Sequence, residues 1–112
     1  MRQAILDANA NPGLDTIVFS IPGSGLHTIN VSSGLPSITE AVLIDGTTQP
    51  IELDGSATPI FTGGLTVAGG QGSVIRNLTI NRFFYGIILR DSSTDSVVED
   101  IFVVLRVIDW SD

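Results

Sequence analysis

The sequence predicts an all-β solenoid of stacked parallel coils with one short N-terminal helix, and three observations lead there. One stretch nearly repeats itself: GLTVAGGQGSVIRNLTI at 64–80 returns as GIILRDSSTDSVVEDIFV at 86–103, with Thr94 gapped. Gly64 aligns with Gly86 at a separation of 22, and Leu78 with Ile101 at 23, an interval that fits a stacked coil. Short β-type runs separated by turn residues fill the chain beyond residue 13. The only helical pattern lies ahead of them.

That pattern places Ala4, Ile5 and Ala8 on one stripe, and Asn11-Pro12-Gly13 stops it. A helix of about ten residues is marginal alone, so it must pack against something. The β-type runs follow at 16–21, 27–31, 41–44, 51–53, 65–67, 74–80, 86–89 and 97–105. Glycine and proline lie mostly between them, as in Pro22-Gly23-Ser24-Gly25 and Ala68-Gly69-Gly70-Gln71-Gly72, where turns need positive φ. Asp45-Gly46 and Asp54-Gly55 lack the alternating partner strands of hairpins, which favours parallel stacking. A chain of 112 residues buries one core, so a single domain is expected. It divides into a capping helix at 1–13, first coils at 14–62, two recognisable repeats at 63–105 and a tail at 106–112.

Leu78 and Ile80 alternate with Asn77, Thr79 and Asn81, which sets Leu78 and Ile80 inward. Ile101 and Val103 take their places one coil later, and outward Arg76 falls beside Glu99. Such a surface pair is worth about 0–1 kcal/mol and serves as a register marker. Residues 102–105 are consecutively apolar, and Phe102 lands where Thr79 faces solvent. Open solenoid ends present unpaired strand edges. The expected consequence is self-association through a C-terminal surface of Phe102, Leu105, Ile108 and Trp110, or a terminal segment folded across it.

Twelve acidic residues oppose five basic ones, none of them lysine, and the net charge of −7 argues against nucleic acid as a partner. No segment approaches the roughly 20 apolar residues of a membrane-spanning helix, which argues against membrane insertion. The absence of cysteine removes disulfides and thiolate metal sites. MRQAILDANA carries one positive charge and no long apolar stretch, so no signal peptide is read in this chain.

Arg2-Gln3-Ala4-Ile5, Asn11-Pro12-Gly13, Asp15-Thr16-Ile17, Ile21-Pro22-Gly23, Leu35-Pro36 with Ile38-Thr39, and Ile44-Asp45-Gly46-Thr47-Thr48-Gln49-Pro50 occur in this order. With them the chain resembles the opening of bacterial right-handed parallel β-helix repeat proteins of the pectate-lyase-like class, over residues 2–98. The resemblance implies a right-handed parallel β-helix (solenoid) with a short N-terminal capping α-helix, in a parent protein that is extracellular or on the cell surface. It does not imply an enzyme. The chain departs from that pattern in three places. It begins at the helix without a preceding strand and capping serine, it is short after Gln49-Pro50, and it stops at Asp112 after two recognisable repeats. A fragment or minimal form is therefore expected.

Two carboxylates nine positions apart, Asp45 and Asp54, sit in matching Asp-Gly-Thr and Asp-Gly-Ser turns. If the turns stack, the pair could share a calcium ion with Thr47 or Ser56 oxygens. Such an ion takes about 6–8 oxygens. In the other reading each Asp caps its own turn while Gly takes the left-handed position. Asp91, Asp95, Glu99 and Asp100 read as solvated turn residues. A lyase would need a base such as Arg76, Arg82 or Arg90 beside bound calcium, and none stands in a matching motif. A glycosidase would need two carboxyls from Asp45, Asp54, Glu40 and Glu52 set about 5–9.5 Å apart. His27, the lone histidine, reads as an exposed strand-start residue, and without a second histidine zinc is not expected. Asn77, although in a sequon, is read as making turn or ladder hydrogen bonds. Phe83-Phe84-Tyr85 reads either as packing over the coil edge or as a platform for a glycan, and Trp110 has the same two readings. The function expected is a non-catalytic scaffold or binding module without a cofactor. The alternative is a fragment of a polysaccharide-degrading lyase or hydrolase.

Overall fold

Alternating short apolar runs cannot bury both faces of a single ribbon, and the chain resolves this by winding its strands into a β-solenoid of about four turns. The computed structural model describes residues 1–69, 71–91 and 93–102, together with the backbone of 107–110. Helix α1 (Arg2–Ala10) precedes β1 (Asp15–Val18), β2 (His27–Asn30), β3 (Val42–Asp45), β4 (Ile51–Asp54), β5 (Gly63–Ala68), β6 (Val74–Asn81), β7 (Tyr85–Arg90), β8 (Val97–Phe102) and β9 (Val107–Trp110). Every strand pairing among the described residues is parallel. The strands start and stop within a few residues of the sequence pattern. The exception is β9, which turns part of the expected tail into a strand paired with β7.

One face of the coil stacks β1, β3 and the first halves of β6 and β8, a second stacks β2, β4 and the second halves of β6 and β8, and a third stacks β5, β7 and β9. Strand β6 serves two faces because it bends at Asn77, which takes φ 58°. Leu43↔Val74 to Asp45↔Arg76 lie before the bend, and Glu52↔Thr79 to Asp54↔Asn81 after it. The corner that Asn77 turns alone is spanned by residues 19–26 in the first coil and 46–50 in the second. In the fourth coil Asp100, at φ 51°, turns it again.

Like stacks on like along the interior. Ile17, Ile44 and Ile75 are successive register partners, as are Ile29, Leu53 and Ile80, while Leu65 and Val67 pair with Ile87 and Leu89. Apart from half-buried Ile29, all of these are buried. Each such side chain removed from water contributes about 1.5–3 kcal/mol. The expected inward pair Leu78 and Ile80 is buried, Leu78 stacks on Ile101, and Val103 lies outside the described residues. Helix α1 closes the first coil with Ile5 and Ala8 against this core. Arg2 donates to the Gly34 and Ser33 carbonyls at 2.7 and 3.1 Å. Asn9 donates to the Ser37 carbonyl at 2.8 Å and accepts from the Thr39 N–H at 2.9 Å. No helix among the described residues is long and apolar enough to cross a membrane.

Candidate functional site

The polar groups best placed for chemistry gather at the two Asp-Gly corners of the second coil, where β3 ends in Asp45 and β4 in Asp54. Each carboxylate folds back on its own turn. Asp45 Oδ1 accepts from the Thr47 N–H at 2.9 Å and from the Thr47 hydroxyl, and Asp54 Oδ1 accepts from the Ser56 N–H at 2.8 Å. The second oxygen of each reaches an arginine of the following coil: Arg76 Nη2 at 3.1 Å for Asp45 and Arg82 Nη1 at 2.7 Å for Asp54. Asn77 Nδ2 donates to Thr47 Oγ1 at 2.6 Å, so its side chain makes the expected turn bond.

These contacts set the protonation of both acids. The Thr47 hydroxyl, then Arg76, then the Thr47 N–H and Asn77 hold Asp45 well below the usual carboxylate range, against the opposing effect of desolvation. Asp54 is lowered first by the Ser56 N–H and hydroxyl and then by Arg82. Arg76 is pushed up by its bond to Asp45.

The glycines of the two corners serve a purpose other than the left-handed turn expected for them. Neither Gly46 nor Gly55 has positive φ; the left-handed residues are Asn77 and Arg82 in the next coil, at φ 58° and 63°. A Cβ on Gly46 would lie 2.1 Å from the Asn77 carbonyl oxygen, and one on Gly55 2.3 Å from the Phe83 ring. Glycine is required here because the coil above sits directly on it.

Asp45 and Asp54 are not register partners. Asp45 pairs with Val18 and Arg76, and Asp54 with Asn30 and Asn81. Among the described residues no group of three His, Cys, Asp or Glu gathers that could hold a metal ion. Asp54 instead has Glu52 as a neighbour, with Arg82 Nη1 lying 3.9 Å from Glu52 Oε2. Glu52 also accepts from Thr28 at 2.9 Å and Asn81 at 3.2 Å. Asp91, Asp95 and Asp100 all take positive φ, consistent with turn residues.

Arg76 does approach Glu99, at 3.8 Å, but its closer partner is Asp45. Sequence reasoning missed that bond and the role of Arg82, because the second coil carries insertions that hide its alignment with the third. His27 opens β2 as expected but is half-buried rather than exposed, with Nε2 donating to the Gly23 carbonyl at 3.1 Å.

The aromatic run divides between core and surface. Phe83 is buried in the core, whereas Phe84 lies edge-on to both Phe61 and Tyr85, with ring centroids 4.6 and 4.7 Å apart. Phe61 and Ile60 are exposed beside them, and a concavity of about 340 Å³ is lined by Ile60, Arg82, Phe83 and Phe84 among others. Of the expected association surface, Phe102 is exposed. Leu105 lies outside the described residues. Ile108 and Trp110 lie on β9 in register with Ile88 and Arg90, their side chains outside the described set. In comparison with known proteins, no family model, curated protein or solved structure matches the chain.

Proposed function

We propose that this chain is a non-catalytic β-solenoid module, serving as scaffold or binding surface in an exported or cell-surface bacterial protein of the pectate-lyase-like class. One observation carries the reading. The carboxylates most suited to chemistry, Asp45 and Asp54, each hold their own turn and bridge to an arginine of the next coil. A general acid needs a raised pKa and a nucleophile needs an open approach; these groups are lowered and bonded. The order of the Asn-Pro-Gly, Ile-Pro-Gly and Asp-Gly-Thr motifs supports the class. A glycan is the first ligand to screen, because exposed Phe61 stands beside Phe84 and Tyr85 at one corner. Self-association through the C-terminal coil belongs to the same proposal.

The test is an assay of unsaturated-product absorbance and reducing ends on acidic and neutral glycans, run on the native chain and on Asp45→Ala and Asp54→Ala. The expected outcome is no turnover in any of them and lower thermal stability in the variants. Turnover by the native chain that either substitution abolishes, while the fold persists by circular dichroism, would replace the scaffold with a polysaccharide-degrading lyase or hydrolase.

A further inference from the structure

The loop at 55–62, between β4 and β5, holds two large apolar side chains out of the core. It ends in a turn whose Thr62 N–H bonds the Pro59 carbonyl at 3.3 Å. Phe61, the third residue of that turn, takes φ 67°, a conformation that at this place ordinarily belongs to glycine and is rare for a bulky residue. The ring gains little burial in return: Phe61 is 65% exposed and Ile60 75%. Phe84 meets the Phe61 ring edge-on and steadies it. An exposed aromatic residue in an unfavourable backbone conformation points to a use outside the core.

Beside this turn lies the concavity of about 340 Å³, apolar at Ile60 and Phe84 and polar at Ser56, Thr58 and Arg82. Arg82 reaches Asp54 and Glu52 through Nη1 alone, at 2.7 and 3.9 Å, and its side chain is 55% exposed. Its Nη2 and Nε are left as donors among the described residues. The Thr58 hydroxyl donates to the Gly55 carbonyl at 2.6 Å and the Ser56 hydroxyl to Asp54, so both oxygens keep lone pairs to accept with. Charge decides what can use these groups. One guanidinium faces two carboxylates, in a chain of net charge −7, and the local balance is negative. An anionic ligand is repelled here. A neutral diol accepts from the guanidinium and donates to a hydroxyl oxygen.

We infer that this corner binds a neutral sugar, whose hydroxyls bond Arg82, Ser56 and Thr58 and whose C–H groups pack against Phe61 and Ile60. Acidic glycans are excluded. The site rests on the binding role proposed above but fails separately from it: glycan turnover would end that role, whereas absence of sugar at this corner would not.

The experiment titrates the isotope-labelled full chain with cellohexaose, mannohexaose and hexagalacturonate, following backbone amide shifts. Saturable shifts at Ser56, Ile60, Phe61, Arg82 and Phe84 are expected with at least one neutral hexaose, at a Kd on the order of 1 mM, with hexagalacturonate weaker by about tenfold or more. Phe61→Gly should lower the affinity while holding or raising the melting temperature, because glycine suits φ 67°. Arg82→Lys keeps the charge, loses the spare donors of the guanidinium and should also weaken binding. No saturable shift with either neutral sugar, equal or tighter binding of hexagalacturonate, shifts confined to other coils, or unchanged affinity in Phe61→Gly would overturn the inference. So would shifts at these amides that follow protein concentration without sugar, which would give the corner to a second copy of the chain. Should Arg82→Lys not fold, Phe61→Gly, which alters only an exposed turn, decides the matter.

Discussion

At the N-terminal end of the solenoid the first coil is closed: Ile5, 1% exposed, packs into the core from α1, and Arg2 and Asn9 tie the helix to residues 33–39. At the other end Val98 and Ile101 stand in register with Ile75 and Leu78, each 1% exposed, yet are themselves only partly buried. Val97 and Phe102 on the same strand are 45% and 60% exposed. The two ends are built from the same repeating geometry, so the difference shows where burial comes from. A coil does not bury its own inward residues; the neighbouring layer does, and an end without one needs a helix or a partner.

Turning the closed end into an open one is the strongest test of this comparison. Ile5→Ala removes the side chain that α1 inserts, and cavity-forming substitutions of this kind destabilise by about 2–5 kcal/mol. The urea midpoint should fall accordingly, with an increase in dye binding to exposed apolar surface. An unchanged midpoint would mean that α1 rests on the coil without sealing it.

The same layering explains how far the sequence could be read. Register partners are 22 residues apart at Gly63↔Tyr85 and 23 at Val74↔Val97, and the third and fourth coils therefore emerge as a repeat. They are 27 apart at Asp15↔Val42 and 31 at Leu43↔Val74, because residues 19–26, 46–50 and 55–62 bulge at corners. Those bulges hide the first two coils from any fixed period, although their strands still alternate. Leu78 and Ile80 were legible as inward because alternation is local. The Asp45–Arg76 and Asp54–Arg82 bonds were not, since they cross insertions of different length. Asp45 and Asp54 looked equivalent by their following Gly and Thr or Ser, and they are. That equivalence reflects a shared corner design on two separate strands, where close approach of the next coil excludes a side chain.

Acid provides a smaller and separable perturbation, because the two carboxylates held low bridge coils two and three and lie at neither end. Asp45 and Asp54 both have folded-state pKa values lowered by their turns and arginines. Their contribution is therefore complete above the unfolded carboxylate value of about 3.9 and is lost as pH falls through the lower folded values. The melting temperature should be nearly flat from pH 7 to about 5 and fall below about 4. Asp45→Asn should lower the neutral-pH stability and flatten the acid limb. A variant with the native acid limb would place the titrating groups elsewhere.

The smallest effect on stability should come from the C-terminal coil, and with it the largest effect on assembly. Phe102 pairs with Thr79, a position that faces outward, so its ring contributes little to the core. Phe102→Lys should change stability by no more than about 0.5 kcal/mol. If the exposed strand seeks another copy, the substitution places a charge on each β8 edge and light scattering should show a shift toward monomer. An unchanged oligomer would move the contact off Phe102. A monomer before and after substitution would mean that Phe102 makes no contact between copies, on a strand whose outward residues include acidic Glu99 and Asp100.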